Sequence, residues 1–237
     1  MPTLSDVLRD QTDLGAADVE WLHLLVGDWQ LLSDLSFADL VLWVPASVGG
    51  WFAAAHVRPT TGPMVFFDDV VGQRVDRGRR PALDQAFADL RIVRERDPEW
   101  RDDMPIREEA IPVVSAGRAL AVLTRHTNLA TMRTPSRLEL IYVATADGLA
   151  RMIAAGEFPT LGAPTGQRRG APRVGDGVIR LDADGTGNYA SPNATSATQR
   201  RGPEADVRRT RRVRHPPKGL PEEGPTAARP AQPTGLR

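Results

Sequence analysis

Past Asp18 the apolar positions recur at three and four residues. Val19, Leu22, Val26 and Trp29 fall on one helical face, and Leu25 and Leu32 widen it. Asp18 and Glu20 put acids in the first turn, where they complement the helix dipole, and Thr3 to Asp6 has the Ser/Thr-x-x-acid form of an earlier helix start. The pattern then becomes extended. Phe37 to Pro45 and Trp51 to Val57 read as strands of a hairpin joined through Gly49-Gly50, and the short run Met64 to Phe67, closed by Asp68-Asp69, reads as a third strand. Pro81 to Leu90 reads as a helix whose shared face is Leu83, Phe87 and Leu90, and the charged stretch 91–103, with Pro98 inside it, reads as loop. Glu109 to Val114 and Leu120 to Thr124 form a second hairpin around Ser115-Ala116-Gly117. Ser136 to Phe158 is the longest helical pattern, with Leu138, Ile141, Tyr142, Thr145, Leu149, Met152 and Ile153 in register and Pro159 ending it. Helices at both ends of an antiparallel sheet define an α+β domain over 1–158.

A Gly-, Pro- and Arg-rich linker occupies 159–174. Beyond it, Val178 to Leu181, a turn at Asp182 to Gly185, and Asn188 to Ala190 read as strand, turn and strand within 175–198. Composition separates the remainder. Residues 199–237 hold ten of the thirty basic residues, four acids and seven Pro, while all five Trp, six Phe and two Tyr precede Thr198. Formal neutrality is therefore an acidic body offset by a basic tail that cannot bury enough apolar surface to order itself, so 199–237 is expected to be disordered. A single Lys against twenty-nine Arg suggests a GC-rich coding sequence, in which an out-of-frame reading yields such a tail. Its Arg clusters bind phosphate nonspecifically, but it has no aromatic residue for stacking, so no specific nucleic-acid partner is expected. There is no Cys, which removes thiol nucleophiles and Cys-based zinc sites. The first residues lack the basic then apolar order of a signal peptide, and no run approaches a membrane span, so a cytoplasmic protein without a membrane partner is expected.

Three separated blocks, VGDWQLLSDLSFADLVL at 26–42, RPTTGPM at 58–64 and AVLTRH at 121–126, resemble the N-terminal GAF sensor domain of actinobacterial PdtaS-type two-component sensor histidine kinases. The resemblance implies a GAF-like antiparallel sheet flanked by N- and C-terminal helices, followed at 175–198 by the truncated start of a PAS domain. It implies signal input to a kinase that phosphorylates its own His from ATP. Nothing in 199–237 resembles that kinase module, so the chain itself is expected to be no enzyme. The expected function is that of a sensory fragment that binds a small-molecule effector and dimerises. The alternative is a stand-alone module that modulates an intact, full-length sensor kinase. A homodimer through the terminal helices is expected, and no cofactor is implied.

The candidate site is a small-molecule pocket against this sheet. Trp43 and Trp51 would supply apolar walls, and Arg58 with the Thr60-Thr61-Gly62 turn oriented donors. Core filling is the better account of either Trp taken singly. His56 and His126, beside Arg58 and Arg125, are placed to meet an anion jointly at one sheet end; ordinary sheet residues fit the same positions. His23 reads as a boundary residue of its helix, and His215 has no helix to make it a phosphoacceptor. Asp182-x-Asp184-Gly185 lacks the Glu of a calcium loop, and no phosphate-cradling Gly motif or nucleophile elbow occurs, so neither metal nor catalytic residue is expected.

Overall fold

The computed structural model describes residues 3–95, 97–101, 103–130, 134–160, 172–182 and 184–199. The segment 199–237, expected to be disordered, lies almost wholly outside them, as does most of the 159–174 linker. Helix α1 (Leu4–Gln11) opens with the predicted capping box: Asp6 N–H donates to Thr3 Oγ1, and Asp6 Oδ2 accepts the Thr3 backbone N–H at 3.0 Å. Helix α2 (Ala16–Ser36) buries Trp21, Leu22, Leu25, Trp29, Leu32 and Leu35, the face its spacing predicts, and Phe37 ends it in the left-handed region at φ 52°.

Seven strands form one antiparallel sheet in the order β3-β2-β1-β7-β6-β4, with β5 also on β6. Strands β1 (Ala38–Pro45) and β2 (Trp51–Val57) make the first predicted hairpin; β6 (Met104–Ser115) and β7 (Arg118–Asn128) make the second and run well beyond their predicted ends. One face of the sheet packs on α1, α2 and α4 (Arg137–Ala155), the other on α3 (Pro81–Asp89) and the chain between Arg58 and Val75. Alternation sorts the side chains: Leu40, Leu42 and Val44 meet the terminal helices, Val41 and Trp43 the opposite layer. The family of α+β folds read from the sequence is the one observed.

Three expectations change in detail. The run Met64 to Phe67 is not a strand, although Val65 and Phe66 are buried. Its backbone groups are claimed by side chains instead: Arg58 Nε and Nη2 donate to the carbonyls of Phe66 and Asp68, both at 2.9 Å, and Asp39 Oδ2 accepts the Val65 N–H at 2.7 Å. The sheet edge is completed by β3 (Arg74–Val75), paired with Trp51 and Phe52. The charged stretch 91–103 carries two short strands, β4 (Val93–Arg94) and β5 (Glu99–Arg101), which fit a sheet edge because one side faces water. Leu90 leaves the α3 face since the chain turns left-handed there, at φ 53°.

Helix α4 ends one turn before Pro159. Gly156 caps it at φ 72°, with Glu157 N–H donating to Met152 O at 2.8 Å. Its buried row is Ala146, Ala150 and Ile153; Leu138, Leu140, Val143 and Met152 are exposed. After the linker, a 3-10 turn (Val174–Asp176), β8 (Ile179–Leu181), β9 (Gly187–Ala190) and α5 (Pro192–Gln199) follow. Val174 and Val178 join the core on the helical side of the large sheet. Asp182 Oδ1 accepts the N–H groups of Asp184 and Thr186 at 3.0 and 2.8 Å, so this carboxylate closes its own turn.

Candidate functional site

A bulge in β2 decides which side chains meet. Leu42 pairs with Ala55 and Trp43 with Ala53, so one extra residue, Ala54, sits between them. The parity of the strand reverses there: Trp51 and Ala53 face the α3 layer, and so does His56. His56 contacts Asp39 Oδ1 at 3.3 Å, both side chains being almost fully buried. The Phe66 ring stands edge-on between two imidazoles, 5.4 Å from His56 and 4.8 Å from His126. His126 Nε2 lies 2.9 Å from Thr124 Oγ1, which also accepts the Trp43 indole N–H at 3.0 Å. Its Nδ1 is 3.6 Å from Glu108, which Arg80 pairs from the start of α3.

Burial dominates the titration of this layer. Desolvation, then the positive charges of Arg80 and Arg101 and the neighbouring His56, hold His126 well below its ordinary value, so its imidazole is neutral. Desolvation pushes Glu108 up against the opposing pull of Arg80. The result is a satisfied polar seam inside a hydrophobic layer.

The structure places the predicted residues as follows. Trp43 and Trp51 are core residues, 3% and 1% exposed. Trp51 donates its indole N–H to Asp84 at 2.9 Å and meets Phe87 edge-on, with Arg77 over its face. Thr60 and Thr61 turn toward Asp34: Oδ1 accepts Thr60 N–H at 2.8 Å and Thr60 Oγ1 at 2.9 Å, and Asp34 O accepts Thr61 Oγ1 at 2.6 Å. Arg58 clasps the Phe66 to Asp68 backbone. His56 and Arg58 therefore share a face with His126, but Arg125 does not. One residue away on β7, it points to the helical side, where it pairs with Glu109 and with Asp147 of α4 at 2.7 Å. Pairing Arg125 with His126 at one site is thus corrected by strand alternation.

Arg125 belongs to a second arrangement that the sequence reading missed. A cleft of about 530 Å³ opens between α4 and the β4, β6 and β7 end of the sheet. Six charged residues line it: Arg94, Glu95, Arg107, Glu109, Arg125 and Asp147. Ser36, Thr127 and Val143 complete the wall. Glu109 sits between Arg94 and Arg125, and its carboxylate raises the affinity of Arg94 for its proton. Arg125 Nη1 is buried without an acceptor. The signal available in sequence was the alternation Arg107, Glu109 on β6 opposite Thr127, Arg125 on β7. Among the described residues no cluster of His, Asp and Glu is arranged to hold a metal, and no helix is long and apolar enough to cross a membrane.

A seven-stranded antiparallel sheet with terminal helices on one face and a strap and short helix on the other has the architecture of a GAF-type sensor domain. Residues 4–146 match the family described as the GAF domain of histidine kinase PdtaS, and the chain belongs to that family. The sensor histidine kinase PdtaS of Mycolicibacterium smegmatis is 40% identical over 210 residues, 87% of this chain and 42% of that protein. PdtaS of Mycobacterium tuberculosis H37Rv is 41% identical over 208 residues, 85% of this chain and 41% of that protein. The chain thus spans about two-fifths of these relatives. A solved structure described as the sensor region of a sensor histidine kinase superposes with a TM-score of 0.68 at 40% identity, covering 85% of this chain and 69% of that one.

Proposed function

We propose that the chain is the signal-input portion of a cytosolic two-component sensor kinase: a GAF domain over 1–158 that binds a small-molecule effector, joined through 159–174 to the start of a PAS domain at 175–198, with no kinase module in the chain. The observation that carries this reading is the match of 4–146 to the PdtaS GAF family, with the same fold as a kinase sensor region. The short β8-β9 pair and α5 agree with the opening of a further domain, since two strands alone bury too little to stand by themselves.

Dimerisation through the terminal helices is part of the proposal. On α4 two apolar pairs flank the buried row: Leu138 with Met152, and Leu140 with Val143, each 37% to 56% exposed. Sedimentation equilibrium at micromolar concentration is expected to give twice the chain mass, and Leu140→Glu with Val143→Glu to return it to the monomer. The sensor reading is tested by a chimera in which 1–199 replace the corresponding region of the Mycolicibacterium smegmatis relative. Autophosphorylation of the chimera is expected; a folded chimera without it overturns the reading.

A further inference from the structure

We propose that the C-terminal end of α2 is a joint between the two parts of the chain: Asp34 and Phe37 carry the root of the strap on one side and the opening of the second domain on the other, so that a shift of the strap is passed to β8 and β9. The inference deepens the reading of the chain as a signal-input module, on which it rests for its use, and names the route by which an input leaves the first domain.

The strap between Arg58 and Val75 is tied down at its root. Gln30 Nε2 donates to Arg58 O and to Asp34 Oδ1, both at 3.0 Å. Asp34 Oδ1 also accepts Thr60 N–H and Thr60 Oγ1, at 2.8 and 2.9 Å, and Asp34 O accepts Thr61 Oγ1 at 2.6 Å. Arg58 in turn holds the carbonyls of Phe66 and Asp68, so a displacement of Phe66 pulls on this root. The other carboxylate oxygen serves the second part of the chain: Oδ2 accepts Val174 N–H at 3.4 Å. A carboxylate is planar, so turning it to follow the strap moves Oδ2 relative to Val174.

A second contact runs beside the first. A Cβ on Gly62 would lie 3.2 Å from Phe37 Cβ, so the strap turn presses on Phe37. The Phe37 ring stacks on Tyr142 of α4, with 6.4 Å between centroids. Tyr142 is the neighbour of Tyr189 on β9, whose hydroxyl is enclosed, and desolvation followed by that phenol pushes the Tyr189 pKa up. The segment that Val174 and Tyr189 belong to moves as a unit. Ser191 Oγ accepts Val178 N–H at 2.9 Å, Ser191 N–H donates to Val178 O at 2.8 Å, and a Cβ on Gly177 would lie 2.7 Å from Ala194 N of α5. Val174 and Val178 seat that unit in the core of the first domain.

The test is amide hydrogen exchange on the full chain, read by NMR, with Asp34→Asn as the first variant. An amide has a single acceptor oxygen. Three short bonds at Oδ1 outweigh the long one at Oδ2, so the new oxygen faces the strap and the NH2 group meets the Val174 N–H donor to donor. Exchange at Val178 and Ser191 is expected to rise at least about tenfold while Thr60 stays protected. Gly62→Ala, which displaces Phe37 from the strap side alone, is expected to speed the same two amides, and it decides the matter if Asp34→Asn does not fold. Gly50→Ala, at the opposite end of β1, is the control for general destabilisation. Exchange at Val178 and Ser191 no faster than in this control overturns the joint, as does a parent in which both amides are already unprotected. In the chimera with the kinase relative, Asp34→Asn is expected to change the autophosphorylation rate at least about twofold; equal rates overturn the signalling role. The exchange measurement needs no kinase, so failure of the joint is distinct from failure of the sensor reading, which shows as a folded chimera without autophosphorylation.

Discussion

Replacing Asp34 with Ala is expected to cost about 3 kcal/mol of folding stability. The residue is wholly buried near the C-terminal end of α2, where the helix dipole opposes an acid, so its hydrogen bonds must hold it there. Oδ1 accepts from Thr60 N–H at 2.8 Å, Thr60 Oγ1 at 2.9 Å and Gln30 Nε2 at 3.0 Å; Oδ2 accepts Val174 N–H at 3.4 Å. Hydrogen bonds to a charged acceptor contribute about 1.5–3 kcal/mol each when dry. Thr60 lies at the surface, where water replaces part of the loss, and the bond to Val174 is long. Three bonds at about 1 kcal/mol each give the estimate. Urea titration followed by Trp fluorescence reads it as a lower midpoint at unchanged slope, and in a thermal scan as a fall of roughly 6–12 °C. Thr60→Val, which removes one of the three bonds, should cost about 1 kcal/mol, and adding it to Asp34→Ala should cost almost nothing more. A loss below about 1 kcal/mol for Asp34→Ala, or full additivity with Thr60→Val, refutes the reasoning.

Two further outcomes follow from the seam and the sheet edge. His126 has its folded value well below the ordinary 6.5, so the unfolded chain binds the proton first. The stability it contributes is present above about pH 6.5 and is lost as pH falls through its folded value, by up to about 1.4 kcal/mol per pH unit. The difference in unfolding free energy between the parent and His126→Gln should therefore shrink as pH is lowered from 7 to 5; a constant difference would contradict a buried neutral imidazole. Gly50 sits at φ 77°, where an added Cβ would lie 2.6 Å from Val75 O of β3. Gly50→Ala should cost about 1–3 kcal/mol by chemical denaturation, and more than Gly49→Ala, whose Cβ meets nothing within 4 Å. Equal losses would show that the contact with β3 is not the cause.

Much of the fold was legible because its signals are local. The α2 face follows from the spacing of Leu22, Leu25, Trp29 and Leu32, and both hairpins from their Gly-bearing turns. Where the reading failed, distant groups decide. Met64 to Phe67 has the composition of a strand, but Asp39 and Arg58 take its backbone groups first. The reversal of parity in β2 depends on a single extra residue that neither composition nor spacing betrays, and it brings His56 to the side of Trp51. For the candidate residues, Arg125 could have been set opposite His126 by alternation alone. The cleft was less accessible to reading: Arg107, Glu109 and Arg125 are cross-strand neighbours, but Arg94 comes from an edge strand hidden in a charged stretch and Asp147 from a helix 22 residues beyond Arg125.

The family match stops at residue 146, yet α4 continues to Ala155, and Ala146 is only the first of its buried row. Ala150 and Ile153 follow, and Val174 and Val178 from beyond the linker are packed into the same core. The stretch matched by the domain family is therefore shorter than the unit that closes its own interior. Anyone trimming this domain, or grafting it onto another output, inherits that mismatch: a cut at the edge of the matched stretch slices through an apolar interior, whereas one placed beyond Ser191, whose backbone and hydroxyl hold Val178, keeps both valines in place.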